Sequence, residues 1–238
     1  MPRNDLTCRL DDGSVPVLVL AGPLTVRTAT RVETALRKLL FDRGSVLVDV
    51  RDLEPVAPAL LALFTSTLSA AGGWPSARLV LLGRPGPVAV ALRRSGMLQE
   101  IRIAPDREQG RALLGLRPTR IRRVIELPDT VLGVRFARAL VREACREWEL
   151  PSGVPARAEL VADELVANAL VHGRGNRSLL LTLDRSGLRV GVRDQGAGTP
   201  DPDTTSGQGL RVVAELADGW GTTRHDVGKT VWAVLRTR

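Results

Sequence analysis

Short apolar runs at residues 15–20, 46–50, 78–82 and 101–104 carry hydrophobic side chains toward both sides of an extended backbone, which predicts buried strands. Between them the period changes. Val32, Ala35, Leu36, Leu39 and Leu40 recur at helical spacing, with Arg31, Glu33, Arg37 and Lys38 on the opposite side, so a helix is predicted over 28–40. Pro58 suits a first helical turn and opens a helix to about residue 70; further helices are predicted over 88–94 and 107–114. Strand and helix alternate and their connections are short. This half is predicted to be a small α/β layer domain with a mixed or mostly parallel sheet.

Past residue 115 the order of elements differs. A strand at 124–127 is followed by a helix over 128–148 and a second over about 156–172. Leu160, Val161, Leu165, Val166, Ala169 and Leu170 give that second helix a broad apolar stripe. The period then returns to two. Residues 178–184 and 188–193 predict a hairpin across 185–187, followed by a helix over 208–216 and strands at 219–223 and 230–235. Early helices and late consecutive strands predict an α/β sandwich with one open sheet, not a doubly wound fold. The fold class is therefore α/β with two domains, 1–115 and 124–238, joined by a linker at 116–123 rich in arginine and containing Pro118.

Composition narrows the function. At 238 residues, 44% of them hydrophobic, each half can bury its own core. The net charge of +8 invites a nucleic-acid reading, but the basic residues are scattered over both halves. Three phenylalanines, four tryptophans and no tyrosine leave few platforms for base stacking, so no direct nucleic-acid partner is expected. No apolar run approaches the ~18–20 residues needed to span a bilayer, and residues 1–12 lack the apolar core of a leader, so no membrane partner is expected. Cys8 and Cys145 form neither a disulfide framework nor a metal spacing, which points to reduced thiols and a cytoplasmic location.

Four features of the second half carry candidate chemistry. Glu164 and Asn168 stand four residues apart on the apolar helix, so they share one face. At the margin of a buried stripe, a carboxylate and a carboxamide are costly unless something pairs with them. Asp194-Gln-Gly-Ala-Gly198 follows a strand; its glycines Gly196 and Gly198 allow close approach of backbone to a ligand while the carboxylate accepts from an amine. Gly207-Gln-Gly209-Leu210 opens a helix, where bare N–H groups and the helix dipole can hold phosphate. Gly228-Lys-Thr-Val-Trp232 then leads the last strand. Singly, each motif occurs in many turns; in this order, each in its structural context, they form a specific set.

The set resembles the GHKL ATPase domain, and specifically the anti-sigma-factor kinase branch of actinobacteria. The resemblance covers about 120 residues. It implies ATP and Mg²⁺ as cofactors, with Glu164 as general base and Asn168 as the Mg²⁺ ligand. Asp194 would accept from the adenine amine, Gly196 and Gly198 would flank the nucleotide, and Gly207, Gly209 and Leu210 would sit at the phosphates. Thr230 would lie near the adenine end. The first 115 residues resemble the STAS domain of anti-anti-sigma factors, on the helix after Leu24-Thr25, the strand 46–50 and the loop and helix that follow. In that family the loop carries a serine phosphorylated by a partner kinase. Here residues 46–64 contain no serine or threonine, so the switch is lost, and Thr65, Ser66 and Thr67 are expected to be packed or solvated.

These resemblances imply a serine/threonine kinase that phosphorylates a STAS-type anti-anti-sigma partner and controls a sigma factor, in a family where homodimers are common. One departure favours an alternative, a non-catalytic, nucleotide-gated binding module that sequesters a partner or docks its own STAS half. The segment 199–206 contains no arginine or lysine, whereas a transferring phosphoryl group usually receives a cationic clamp. Arg174, Arg177 or the partner are the candidate sources. His172 is expected to cap its helix, Lys229 and His225 to be exposed, Trp148, Trp220 and Trp232 to pack, and Arg135 and Arg138 to face water.

Overall fold

The computed structural model describes residues 5–196 and 208–237. The chain divides into two compact units, Met1–Ile121 and Arg122–Arg238. Both are α/β, each built on one five-stranded sheet.

In the first unit β1 (Thr7–Asp11), β2 (Val17–Leu24), β3 (Ser45–Pro55), β4 (Arg78–Leu82) and β5 (Arg102–Ala104) lie in chain order across the sheet. β1 is antiparallel to β2 and the other pairings are parallel. Helices α1 (Val26–Arg43), α2 (Ala62–Ala70), α3 (Pro87–Arg94) and α4 (Arg107–Leu114) join them. The interior has two parts. A larger cluster includes Val32, Leu36, Val46, Val48, Phe64 and Leu81, and a smaller one packs Val17, Leu47, Val80, Leu82 and Ala104 with Leu114 of α4. Val46 and Leu47 are neighbours on one strand yet belong to different clusters, so both faces of the sheet are covered, which is why the strands are apolar at consecutive positions. Thr25 starts α1: its Oγ1 accepts from the Thr28 N–H (3.2 Å) while Thr28 Oγ1 accepts from the Thr25 N–H (2.9 Å).

Two strands run further than their apolar runs. β2 continues through Ala21-Gly22-Pro23 because, after a register shift between Val19 and Ala21, those residues pair with Asp52–Glu54 of β3. β1, polar and at the sheet edge, leaves no apolar run to detect. In the helix after β3, Thr65 and Thr67 are buried, while Ser66 is exposed and donates to the Leu63 carbonyl at 3.1 Å.

The second unit holds β6 (Ile121–Leu127), α5 (Leu132–Glu147), α6 (Val154–His172), β7 (Arg177–Asp184), β8 (Gly187–Asp194), α7 (Gln208–Leu216), β9 (Gly219–Arg224) and β10 (Lys229–Leu235). The strand order is β6-β7-β8-β10-β9, with β7–β8, β8–β10 and β10–β9 antiparallel. α6 packs between α5 and α7 and lies against β8 and β10. Val161, Leu165, Val166 and Ala169 of α6 and Leu179, Leu181, Val190, Val192, Val231 and Ala233 of the sheet are all buried. The helix stripe is narrower than its pattern suggests, since Leu160 is 49% exposed. β6 starts three residues before the predicted strand, at Ile121, because Arg123 is an inward-facing residue of it. Its guanidinium bonds Glu147 at 2.6 Å and lies over the buried Trp148 ring. No helix among the described residues is long and apolar enough to cross a membrane.

Candidate functional site

The site is built along α6. Gly153, with φ 91°, turns the chain into this helix, and Pro155 sits in its first turn. At the other end the Gly173 N–H bonds the Ala169 carbonyl at 3.0 Å. Arg177 of β7 completes that end. Its Nε donates to the same Ala169 carbonyl at 2.8 Å, and its Nη1 donates to the Gly175 carbonyl at 3.3 Å and to the Asp129 carboxylate. A buried cation at a helix C-terminus satisfies orphan carbonyls and complements the dipole. Arg177 is therefore a structural cap, which removes it as a clamp for a ligand. Arg174 is exposed.

The acidic residues of α6 fall into two groups. Glu159 accepts from Arg142 of α5 at 2.5 and 2.9 Å, and Asp163 accepts from Arg138 of α5. Hydrogen bonds to these carboxylates hold both guanidinium pKa values above the ordinary arginine range. Arg138 is thus tied to its neighbouring helix and does not simply face water. Glu164, one residue beyond Asp163, is rotated away from α5. It and Asn168 are half-buried, and neither has a hydrogen-bond or ion-pair partner among the described residues.

What Glu164 meets is the first turn of α7. A Cβ on Gly209 would overlap Glu164 Oε2, so this approach requires bare backbone. The Leu210 side chain is buried, so only its backbone N–H is available at that helix start. Gly198 and Gly207, and the segment 199–206, lie outside the described residues.

Asp194 stands at the other end of α6 and is 1% exposed. Three glycines enclose it. A Cβ on Gly173 would come within 3.0 Å of its Cβ and Cγ, and one on Gly196 within 2.8 Å of Oδ1. At Gly228, whose φ is 80°, a Cβ would overlap the Asp194 carbonyl oxygen. Oδ1 accepts from the Gly196 N–H at 2.6 Å and from Lys229 Nζ at 3.2 Å; Nζ also reaches the Gly196 carbonyl at 3.4 Å. Oδ2 is buried with no partner among the described residues. A buried acceptor left open costs about 1–3 kcal/mol unless a donor arrives, so this corner fits a ligand that presents an N–H group.

The last strand places its residues differently from expectation. Lys229 pairs in register with Asp194, is 3% exposed, and shares the helix-covered face with it. The expectation of an exposed Lys229 fails, because strand alternation turns its side chain inward. Thr230, the next residue, faces the other side of the sheet, where a Cβ on Gly191 would meet its Cγ2 at 3.2 Å. Its Oγ1 hydrogen bonds His225 Nε2 at 2.8 Å. Thr230 is therefore not brought to Asp194, and Lys229 is. The alternation that decides between the two residues is present in the sequence; Arg177 and Arg123 left no comparable signal.

From Glu164 to Gly173 the helix rises about 14 Å. An amine-accepting corner and a helix start beside the Glu164 carboxylate thus mark two ends of one elongated site. The glycines at both ends let backbone approach these two carboxylates where side chains could not.

No curated protein matches the chain. Among solved structures the chain is similar to the crystal structure of an anti-sigma factor antagonist from Mycobacterium paratuberculosis, at 16% identity, covering 47% of this chain and 96% of that one, with a TM-score of 0.42. Residues 127–235, which hold every element of this site, match the family model of the histidine kinase-like ATPase domain.

Proposed function

We propose that the second unit binds ATP with Mg²⁺ along α6 and acts as an anti-sigma-type serine/threonine kinase in the cytoplasm, phosphorylating a STAS-type partner and so controlling a sigma factor. The observation that carries the nucleotide reading is Asp194, buried, held by one oxygen and open at the other, inside the segment similar to an ATPase domain. Its open Oδ2 accepts from the adenine amine. The first-turn N–H groups of α7, those of Gly209 and Leu210 among them, hold phosphate oxygens at a helix N-terminus. Asn168 offers one carboxamide oxygen to Mg²⁺, which usually takes only one or two protein ligands when phosphates supply the rest. Bound ATP and Mg²⁺ supply a transferable phosphoryl group and a compensating positive charge. Glu164, without a partner among the described residues and one turn from Asn168, accepts the proton of the incoming serine hydroxyl. The first unit, STAS-like by its sequence pattern but without serine or threonine in residues 46–64, is a docking module that is not itself phosphorylated.

Purified protein incubated with labelled ATP and candidate STAS proteins tests this. Transfer to a partner serine that Glu164→Ala removes supports the kinase; ATP binding with no transfer to any partner sinks it.

A second reading, a nucleotide-gated binding module, is favoured by one observation. Arg138, Arg142 and Arg177 are all committed to structural pairs, so no cation among them is left for the phosphates. On that reading Glu164→Ala leaves partner binding intact and Asn168→Ala weakens it.

A further inference from the structure

Resting on the reading of this corner as the adenine end of an ATP site, we infer that Lys229 is a positioning residue that makes the site select a 6-amino purine over a 6-oxo purine. Lys229 acts on the ligand through Asp194. Lys229 is 3% exposed, and its ammonium meets two oxygens, Asp194 Oδ1 at 3.2 Å and the Gly196 carbonyl at 3.4 Å. A buried ammonium is costly without such partners, so the pair is mutually held. With the Gly196 N–H at 2.6 Å, Oδ1 receives two donors. That fixes the plane of the carboxylate, and Oδ2 is left buried and unpartnered among the described residues.

An ionised carboxylate oxygen can only accept. A purine with an amine at position 6 satisfies it. A purine with a carbonyl there sets acceptor against acceptor, and a site built around a hydrogen bond rejects a ligand that cannot make it far better than an apolar pocket rejects a small change in size. Selectivity of this kind fails if the carboxylate is free to turn. Glycine hydrogen bonding from Gly196 alone is a single pivot; Lys229 is the second point that stops rotation.

The test is titration of the full chain with ATP and with ITP, which differ at that position. The variants are wild type, Lys229→Met, Asp194→Asn and the double substitution, with thermal melts run alongside. Wild type should prefer ATP by roughly tenfold or more. Lys229→Met, which keeps the aliphatic stem, should weaken ATP and bring the ATP-to-ITP ratio close to one. In the Asp194→Asn background, Lys229→Met should not change the ratio further, since coupled residues are non-additive. Equal weakening of ATP and ITP by Lys229→Met, or no change in either, overturns the inference; so does a wild type that binds both alike. Failure of wild type to bind ATP at all sinks the ATP reading itself, a separate result. Should Lys229→Met not fold, Lys229→Gln takes its place: a neutral, shorter donor should give a ratio below wild type, and an unchanged ratio overturns the proposal.

Discussion

Among the described residues each unit buries one aspartate, on a strand near the middle of its sheet, and the two are treated in opposite ways. Asp49 of β3 is 5% exposed, and Arg51, two residues along the same strand, grips both its oxygens: Nε lies 2.9 Å from Oδ1, Nη2 bonds Oδ2, and the Arg51 N–H adds a third donor at 3.2 Å. Burial pushes its pKa up, but the hydrogen bonds and charge of Arg51 outweigh that and hold it below the ordinary 3.8. Asp194 has as little exposure and a cationic partner too, yet its donors among the described residues converge on one oxygen and leave the other open. A buried carboxylate with donors on both oxygens has its acceptors taken up within the fold. One with an oxygen left open can take a donor from a ligand. Burial and charge alone do not separate these cases; the distribution of donors between the two oxygens does.

The most severe way to break the contrast is at Gly228. An added methyl would overlap the Asp194 carbonyl oxygen at a backbone φ of 80°, so Gly228→Ala should destabilise the second unit by about 3 kcal/mol or more and abolish ATP binding with it. Chemical denaturation with nucleotide titration reads both. Removing the open carboxylate is the next largest effect: Asp194→Ala should weaken ATP roughly 100-fold and, because it strands the buried Lys229 ammonium, should also lower the denaturation midpoint. Removing the closed one should cost stability alone. Asp49→Asn should cost about 1–2 kcal/mol of stability, discounted because the Arg51 side chain is 38% exposed, and leave the ATP affinity at its wild-type value.

The acid limb sharpens the same comparison. A carboxylate whose folded pKa lies below its unfolded value stabilises the fold above the unfolded value, and that stability is lost as pH falls through the folded one. For Asp49 the loss falls below about pH 4, so wild type should lose more stability between pH 4 and pH 2 than Asp49→Asn does, measured by pH-dependent melts. The smallest expected effect concerns a buried group with no charged partner to release. Burial pushes the Cys145 thiol up to about 11, with Glu159 adding to the shift, so native protein at pH 8 should react with a disulfide reagent at Cys8 and leave Cys145 untouched until it unfolds.

Much of this architecture is visible in the chain. The alternation of Leu179, Leu181 and Leu183 sets β7, and the bounds of the helices at 107–114 and 208–216 follow from their periodicity. The helix bearing Glu164 and Asn168 is equally plain. The buried charges are not. Arg123, Arg177 and Lys229 interrupt apolar patterns, and a pattern reading assigns long charged side chains to water unless a partner is known. Lys229 and Thr230 show the cost most clearly, because a slip of one residue in a strand exchanges the two faces of the sheet. The glycines at positions 173, 209 and 228 could be read as loop punctuation. That each admits a specific neighbour, respectively the Asp194 side chain, the Glu164 carboxylate and the Asp194 backbone, is a fact of three dimensions.

Arg177 has a mechanical consequence. Its guanidinium stitches together the last carbonyl turn of α6, the turn at Gly175 and Asp129 in the connection before α5. The C-terminal end of the helix that carries the polar pair is thereby clamped, and near its start Arg157 donates to the Leu216 carbonyl of α7 at 3.0 Å. Pinned toward both ends, α6 is a fixed beam, so the spacing of Glu164 and Asn168 is set before any ligand arrives.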